Sequence, residues 1–321
     1  TGGNKNMNIL LTQISRIGAL CWLKCLHGIK SMNIVTYGTD TQEIGYSAGS
    51  QLVDNYIQIS SGLKDNEYLD VIYNLCYENS IDMLISVIDD ELELFLKNKQ
   101  RFEKYLFCLE YEIFNIFHDK LQASLEMQKI GITIPPIVNN PFGKRKVIFR
   151  DKVSIGSRGI YVIDLTKEKY IENRFQNNRF MQQFIEGEEF TVDVLTDKTG
   201  TPLLMVPRKR IEIKQGVSFI CQLKNDKQII NACKKIYTHY KSPGISNVQF
   251  IKNEEGLYFI ELNPRLGGTS IASILGGFNF IELYLQHNIR NIPIKPMEDY
   301  QKLIAWDSII SRDYNEYIFM K

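Results

Sequence analysis

The sequence predicts an α/β protein whose first third is a doubly wound parallel sheet and whose remainder is α+β. Three observations carry this reading. Short apolar runs alternate with helix-length periodic segments through residue 115, the texture changes from Phe117 and becomes basic and glycine-bearing over 144–163, and from Phe180 a β-rich segment follows.

Residues 8–12 and 33–37 read as strands around a helix near 16–29, and 56–59 as a third short strand. A helix over 67–78 leads to a strand at 82–87 and then to an amphipathic helix over 91–105, with Leu92, Leu94, Phe95, Leu96 and Phe102 on its apolar side. Strands apolar on both faces and separated by helices belong to a parallel sheet. Ligands then bind beyond the carboxyl ends of the strands. Those ends carry Gln13 to Gly18, Gly38-Thr39-Asp40 and Asp89-Asp90-Glu91. The segment Gln13-Ile14-Ser15-Arg16-Ile17-Gly18 has one glycine where a dinucleotide fingerprint needs three, which argues against a nicotinamide site. Asp40 suits a ribose or an amine, and equally the cap of the next turn. Asp89-Asp90-Glu91 suits contact with a substrate, and equally a helix start with acids at the positive dipole end.

Residues 118–130 read as a helix ended by Gly131, Pro135-Pro136 turn the chain, and strands follow at 180–184, 189–195 and 203–206. After a helix at 226–240, strands at 246–252 and 257–262 flank the turn Asn253-Glu254-Glu255-Gly256 as a hairpin. No internal repeat is visible.

Composition excludes several classes. The 321 residues are 44% hydrophobic and 23% charged, with 38 basic against 37 acidic side chains, so there is no bulk field for nucleic acid or anionic membrane. The longest apolar stretches are too short to span a bilayer. Met7-Asn8-Ile9-Leu10-Leu11-Thr12 reads as a buried strand rather than a signal segment, with 1–6 a polar leader. Six cysteines without a CxxC pair read as reduced core thiols of a cytoplasmic protein, and four histidines without metal-ligand spacing argue against zinc.

The strongest constellation is Asn247-Val248-Gln249-Phe250-Ile251 followed, across the hairpin, by Glu261-Leu262-Asn263-Pro264-Arg265-Leu266-Gly267-Gly268. Alternation places Glu261 and Asn263 on one face of their strand, so with Gln249 three oxygen-bearing side chains can converge. Mg²⁺ bound to nucleotide phosphates uses one or two carboxylates, with phosphate and water filling the other positions. Gly267-Gly268-Thr269-Ser270 is expected to open a helix whose N-terminus can hold an anion.

The run Gln249…Glu261-Leu262-Asn263-Pro264-Arg265 resembles the metal-binding signature of the ATP-grasp superfamily, and is most similar to the carbamoyl-phosphate synthase large-subunit type with a single ATP-grasp unit. Further motifs fall in that family's order. Lys120 matches the lysine reaching the α-phosphate, and Ser154-Ile155-Gly156-Ser157-Arg158-Gly159 resembles the phosphate-covering loop, whose Ser157, Arg158 and Gly159 would cradle anionic oxygens. Phe184-Ile185-Glu186-Gly187-Glu188-Glu189-Phe190-Thr191-Val192 resembles the interlobe hinge, which implies adenine on the backbone around Gln182, Gln183, Phe184 and Ile185 and ribose on Glu189. Arg208, Arg210 and Lys214 resemble the basic segment facing the transferred phosphate, or else form an ordinary solvated strand. Two departures are visible. Arg150 stands where the family has its second ATP lysine, keeping the charge but not the shape, and a glutamine stands where relatives have a hinge glutamate.

The resemblance implies a pre-ATP-grasp domain at 1–115, a small lobe at 116–186 and a large lobe with the metal site at 187–321. It implies an ATP- and Mg²⁺- (or Mn²⁺-) dependent ligase of the carboxylate–amine or carboxylate–thiol type acting through an acyl phosphate. ATP, a small carboxylate and an amine are the expected partners, and a homodimer is compatible with it. Glu261, Asn263 and Gln249 would hold the metal, Lys120 and Arg150 the phosphates, and Arg265 and Arg210 the carboxylate and transferred phosphoryl. A catalytically weak ATP-binding protein of the same fold is the second reading, and a nicotinamide-dependent enzyme the third.

Overall fold

In the computed structural model, which describes residues 6–106, 110–139, 146–154, 159–166 and 178–319, three sheets follow one another along the chain. The first is parallel, in the order β3-β2-β1-β4, built from β1 (Met7–Leu11), β2 (Ile34–Asp40), β3 (Asn55–Gln58) and β4 (Met83–Ile85). Helices α1 (Ile17–His27), α2 (Gly49–Leu52) and α3 (Asp65–Glu78) connect its strands. The expected parallel α/β sheet is therefore present. Helix α1 is buried at Gly18, Ala19, Cys21, Trp22, Leu23, Cys25 and Leu26, which leaves little of its circumference for solvent.

The helical segments differ from expectation in two places. The one expected over 91–105 is α4 (Asp89–Lys97) and α5 (Lys99–Phe102), broken at Asn98, whose side chain donates to the Leu94 carbonyl at 2.9 Å. Before the helix expected over 118–130 lies an unexpected one, α6 (Tyr111–His118), and α7 (Lys120–Lys129) starts afresh at Asp119. The Asp119 carboxylate accepts from the Leu121 and Gln122 amides at 2.8 and 2.9 Å, an N-cap that fixes Lys120 as the first helical residue.

The second sheet is antiparallel, in the order β6-β5-β7: β5 (Lys146–Asp151), β6 (Ile160–Asp164) and β7 (Arg179–Gln183). The third has six strands in the order β12-β11-β8-β9-β10-β13. They are β8 (Glu188–Thr196), β9 (Pro202–Lys214), β10 (Val217–Leu223), β11 (Gly244–Lys252), β12 (Leu257–Asn263) and β13 (Ile309–Ser311), with α8 (Lys227–Tyr240), α9 (Ile271–Leu275), α10 (Phe280–Asn288) and α11 (Met297–Gln301) around them. Strand β9 runs eight residues past its expected end at 206, and β10 returns from it through Gln215-Gly216, both at positive φ.

Alternation sorts the six-stranded sheet into two faces. Phe190, Val192, Val194, Val248, Phe250 and Leu262 pack with α7 and α8 in one apolar cluster. Glu189, Thr191 and Asp193 of β8, Arg208 and Arg210 of β9, Asn247 and Gln249 of β11, and Glu261 and Asn263 of β12 alternate with the apolar residues of their strands and form a polar face. A second cluster joins the parallel sheet to this part of the chain, since Ile9, Leu11, Trp22 and Leu26 share a core with Leu204, Leu223, Phe280, Tyr284 and Leu285. The five described cysteines, 21, 25, 76, 221 and 233, are free and buried.

Candidate active site

A cleft of about 620 Å³ lies between the carboxyl ends of the parallel sheet and the polar face of the six-stranded sheet. The first contributes Gln13, Asp90 and Glu91, and the second Arg210, Ser218, Gln249, Glu261, Asn263 and Arg265. Gly267-Gly268 close one side. The Gly267 backbone is held by Ser270 Oγ at 3.1 Å, and a Cβ on Gly268 would stand 2.9 Å from Ile17 of α1.

Strands β11 and β12 set Gln249 directly opposite Glu261 and Asn247 opposite Asn263. Glu261 Oε1 accepts from Gln249 Nε2 at 2.8 Å and from Asn263 Nδ2 at 3.0 Å. Three hard-oxygen side chains thus meet at one point, and rotation of either carboxamide would turn its oxygen where its NH₂ now stands. One carboxylate with two amide oxygens fits Mg²⁺ or Mn²⁺ that takes its remaining positions from phosphate and water.

Two cations stand behind that carboxylate. Arg150 is 3% exposed; its Nη2 bonds Glu261 Oε2 at 3.3 Å, and its Nη1 reaches the Ile260 carbonyl at 3.1 Å and Gln182 Oε1 at 3.5 Å. Burial holds this guanidinium below the usual arginine value while Glu261 works against the shift. Lys120 is buried too, its Nζ donating to the Ser154 carbonyl at 2.8 Å, and it shares a small cavity with Asp89, Glu261 and Asn263. Burial pushes its ammonium below the ordinary lysine value, Glu261 opposes this and neighbouring Arg150 adds to it.

The basic segment divides. Arg210 lines the cleft, with Nε on Ser218 Oγ at 3.0 Å, Nη1 on Glu189 Oε2 at 2.9 Å and Nη2 on the Gly216 carbonyl at 2.7 Å. Arg208, two residues back on the same face, is fully buried. It pairs with Asp193 at 2.8 and 3.2 Å and donates to Thr269 Oγ1 at 3.1 Å. Asp193 also accepts from Ser270 and Ser273 at 2.6 and 2.5 Å, so the Ser270 hydroxyl serves the core, and α9 beyond it is five residues long rather than an anion-holding helix. Lys214 pairs with Glu212 at the exposed end of β9. The structure therefore brings Arg210 to the cleft and not Arg208.

Arg265 closes the centre. Its Nε and Nη2 form a bidentate pair with Asp89 of α4 at 2.6 and 3.1 Å, and Asn247 Nδ2 holds its carbonyl at 3.1 Å. Glu189 is half exposed and bound to Arg210. Gln182 is buried between Arg150 and the Pro135 carbonyl, while the Gln183 and Phe184 amides donate to the Pro136 and Lys146 carbonyls, and Ile185 is buried. Ser157 and Arg158 lie outside the described residues; Gly159 adopts φ +71° beside Asp151. Asp40 serves as a cap, accepting from the Ser15, Thr41 and Gln42 amides.

Sequence reasoning placed Asn247 in the hairpin constellation without a role, and missed Ser218 and the Asp89–Arg265 pair. Asn247 was signalled by its spacing of two from Gln249. Glu91 is buried among the hydroxyls of Thr12, Ser86 and Tyr68, and burial raises its carboxyl above the ordinary value although those hydroxyls pull it down.

Residues 176–305 match the family described as "ATP-grasp in the biosynthetic pathway with Ter operon", and residues 22–106 match the family described as "PylC-like, N-terminal domain". The carbamoyl phosphate synthase large chain of Clostridium botulinum is 28% identical over 137 residues, 38% of this chain and 13% of that protein. This chain thus spans a small fraction of the length of that relative. The tyramine–L-glutamate ligase of Methanocaldococcus jannaschii is 27% identical over 258 residues, 76% of each chain. Among solved structures, the biotin carboxylase domain dimer of 2-oxoglutarate carboxylase from Hydrogenobacter thermophilus, in complex with MgADP, ADP and bicarbonate, superposes with a TM-score of 0.73. Its sequence identity is 15%, covering 94% of this chain and 73% of that one. Among the described residues, no helix is long and apolar enough to cross a membrane.

Proposed function

We propose, on the premise that this chain carries an ATP-grasp domain, that it is an ATP-dependent ligase joining a small carboxylate to an amine, or less commonly a thiol, through an acyl phosphate. The observation that carries the reading is the convergence of Glu261, Gln249 and Asn263 in one cleft with Arg210 and Arg265, beside Lys120 and beyond the carboxyl ends of a parallel sheet. The tyramine–L-glutamate ligase, similar over 76% of both chains, supports the amine as acceptor.

In this reaction a carboxylate oxygen attacks the γ-phosphorus of ATP, the bond to the bridging oxygen breaks, and ADP leaves with that oxygen. The amine nitrogen then attacks the acyl carbon, phosphate departs, and the nitrogen sheds its surplus proton. Mg²⁺ or Mn²⁺ held by Glu261, Gln249 and Asn263 would neutralise phosphate charge. Lys120 meets the phosphates with an ammonium already stripped of water, so its charge acts in a low dielectric. Arg150 fixes the orientation of Glu261 from behind rather than facing the cleft. Arg265 and Arg210, each held by a carboxylate, supply guanidinium donors where phosphoryl charge develops. The backbone around Gln182 to Ile185 would hold adenine and Glu189 the ribose, with Ser157, Arg158 and Gly159 over the phosphates.

A second reading, an ATP-binding protein with weak turnover, is favoured by one observation: Arg150 already occupies Glu261 Oε2. Incubation with ATP, Mg²⁺ and pooled carboxylates and amines, followed by ADP assay and mass spectrometry, decides between them. The ligase yields ADP and a condensed product that Glu261→Ala abolishes. Nucleotide binding without ADP release across the panel supports the second reading, and an undiminished product yield in Glu261→Ala overturns the metal assignment.

A further inference from the structure

Asp89 belongs to the parallel-sheet half of the chain, yet its side chain is committed to the other half. It is the first residue of α4, where any acid would satisfy the helix dipole from an exposed position. Instead it is 8% exposed and grips Arg265, which follows β12, at 2.6 and 3.1 Å. A bidentate pair fixes the plane of a guanidinium as well as its position. The pair takes Nε and Nη2, and the Nη1 edge has no partner among the described residues, on an arginine that lines the cleft. The Asp89 carboxylate also borders the small cavity that holds Lys120 and Glu261.

We infer that Asp89 is a positioning residue: by holding the Nε–Nη2 edge of Arg265 it presents the free Nη1 edge to the phosphoryl group transferred in the cleft. This rests on the assignment of Arg265 to that group. The parallel-sheet half of the chain then acts on the reaction centre through Arg265, by way of one carboxylate, as well as enclosing it.

The test compares wild type, Asp89→Asn, Asp89→Glu, Arg265→Lys and the double variant Asp89→Asn/Arg265→Lys. Asp89→Asn is expected to lower kcat by about 10- to 100-fold, the cost of misplacing a group near the chemistry, with KM for ATP changed less than about twofold. The Asn substitution should add little in the Arg265→Lys background. The Arg265 Nε–H NMR signal, assigned by its loss in Arg265→Lys, should exchange with water faster in Asp89→Asn and recover in part in Asp89→Glu. Wild-type kcat in Asp89→Asn alongside an impaired Arg265→Lys overturns the inference, as does an unchanged exchange rate. Losses that add in the double variant and track a fall in Tm also overturn it, because they mark a structural tether only. Absence of ADP release from wild type would instead count against the ligase reading, while the exchange measurement still decides whether Asp89 holds Arg265.

Discussion

Replacing Arg208 by methionine separates two roles that its sequence position leaves open. In the structure its side chain is 0% exposed, that of Asp193 is 1% exposed, and the pair is joined at 2.8 and 3.2 Å. Removing the cation leaves a buried carboxylate held, among the described residues, by the hydroxyls of Ser270 and Ser273 and frees Thr269. Breaking a buried pair from one side costs about 3–5 kcal/mol. The two serine hydroxyls retain part of the solvation of Asp193, which favours the lower end. At roughly 2 °C per kcal/mol for a chain of this size, Tm should fall by about 6–10 °C. The variant Arg208→Met/Asp193→Leu removes both charges and should regain most of the loss, since matched apolar replacement of a buried pair is often neutral. Thermal and urea unfolding of the three proteins, with ADP release at a temperature where all are folded, completes the experiment. A Tm within about 2 °C of wild type together with a loss of turnover of about 100-fold or more would refute the reasoning and return Arg208 to the transferred phosphate.

The wild-type protein should bind ADP more tightly with Mg²⁺ than without it, and Glu261→Gln should abolish that difference and cost about 1–3 kcal/mol of stability as Arg150 loses its charged partner; undiminished metal dependence on titration would remove Glu261 from the site. Glu91 gives a pH signature. Burial raises its folded-state value above the ordinary 4.5, so its contribution to stability is complete below about pH 4.5 and is lost as pH rises through the raised value. Glu91→Gln mimics the protonated form and should gain in urea midpoint relative to wild type between pH 4.5 and neutrality, whereas parallel profiles for the two proteins would mean that Glu91 is not raised.

Much of the architecture follows from local pattern. Apolar strands between helices specify a parallel sheet, and the alternation Asn247, Gln249 against Val248, Phe250 specifies a sheet with one face on a core. The hairpin placing Gln249 opposite Glu261 was legible because its turn is marked by Asn253 and Gly256, and the two-residue spacing to Asn263 fixes the shared face. Extra breaks at Asn98 and Asp119 were less legible. In each, a short polar side chain competes with the helical backbone, and whether it caps or rides in a helix depends on what packs around it.

The sequence by itself determined the parallel-sheet strands, the β11–β12 hairpin and the shared face of Gln249, Glu261 and Asn263, because strand period and turn chemistry act over a few residues. Tertiary structure decided which of those charges meet the cleft. Arg208 and Arg210 share a face and differ by two residues, but the Thr269-Ser270 segment leading into α9 closes over Arg208 and leaves Arg210 at the cleft. Arg150 is turned inward onto Glu261, and Arg265 finds Asp89, 176 positions away. A buried charge must take whatever counter-charge the packing brings within reach, and that partner is set by how distant segments cover one another, which local pattern does not encode.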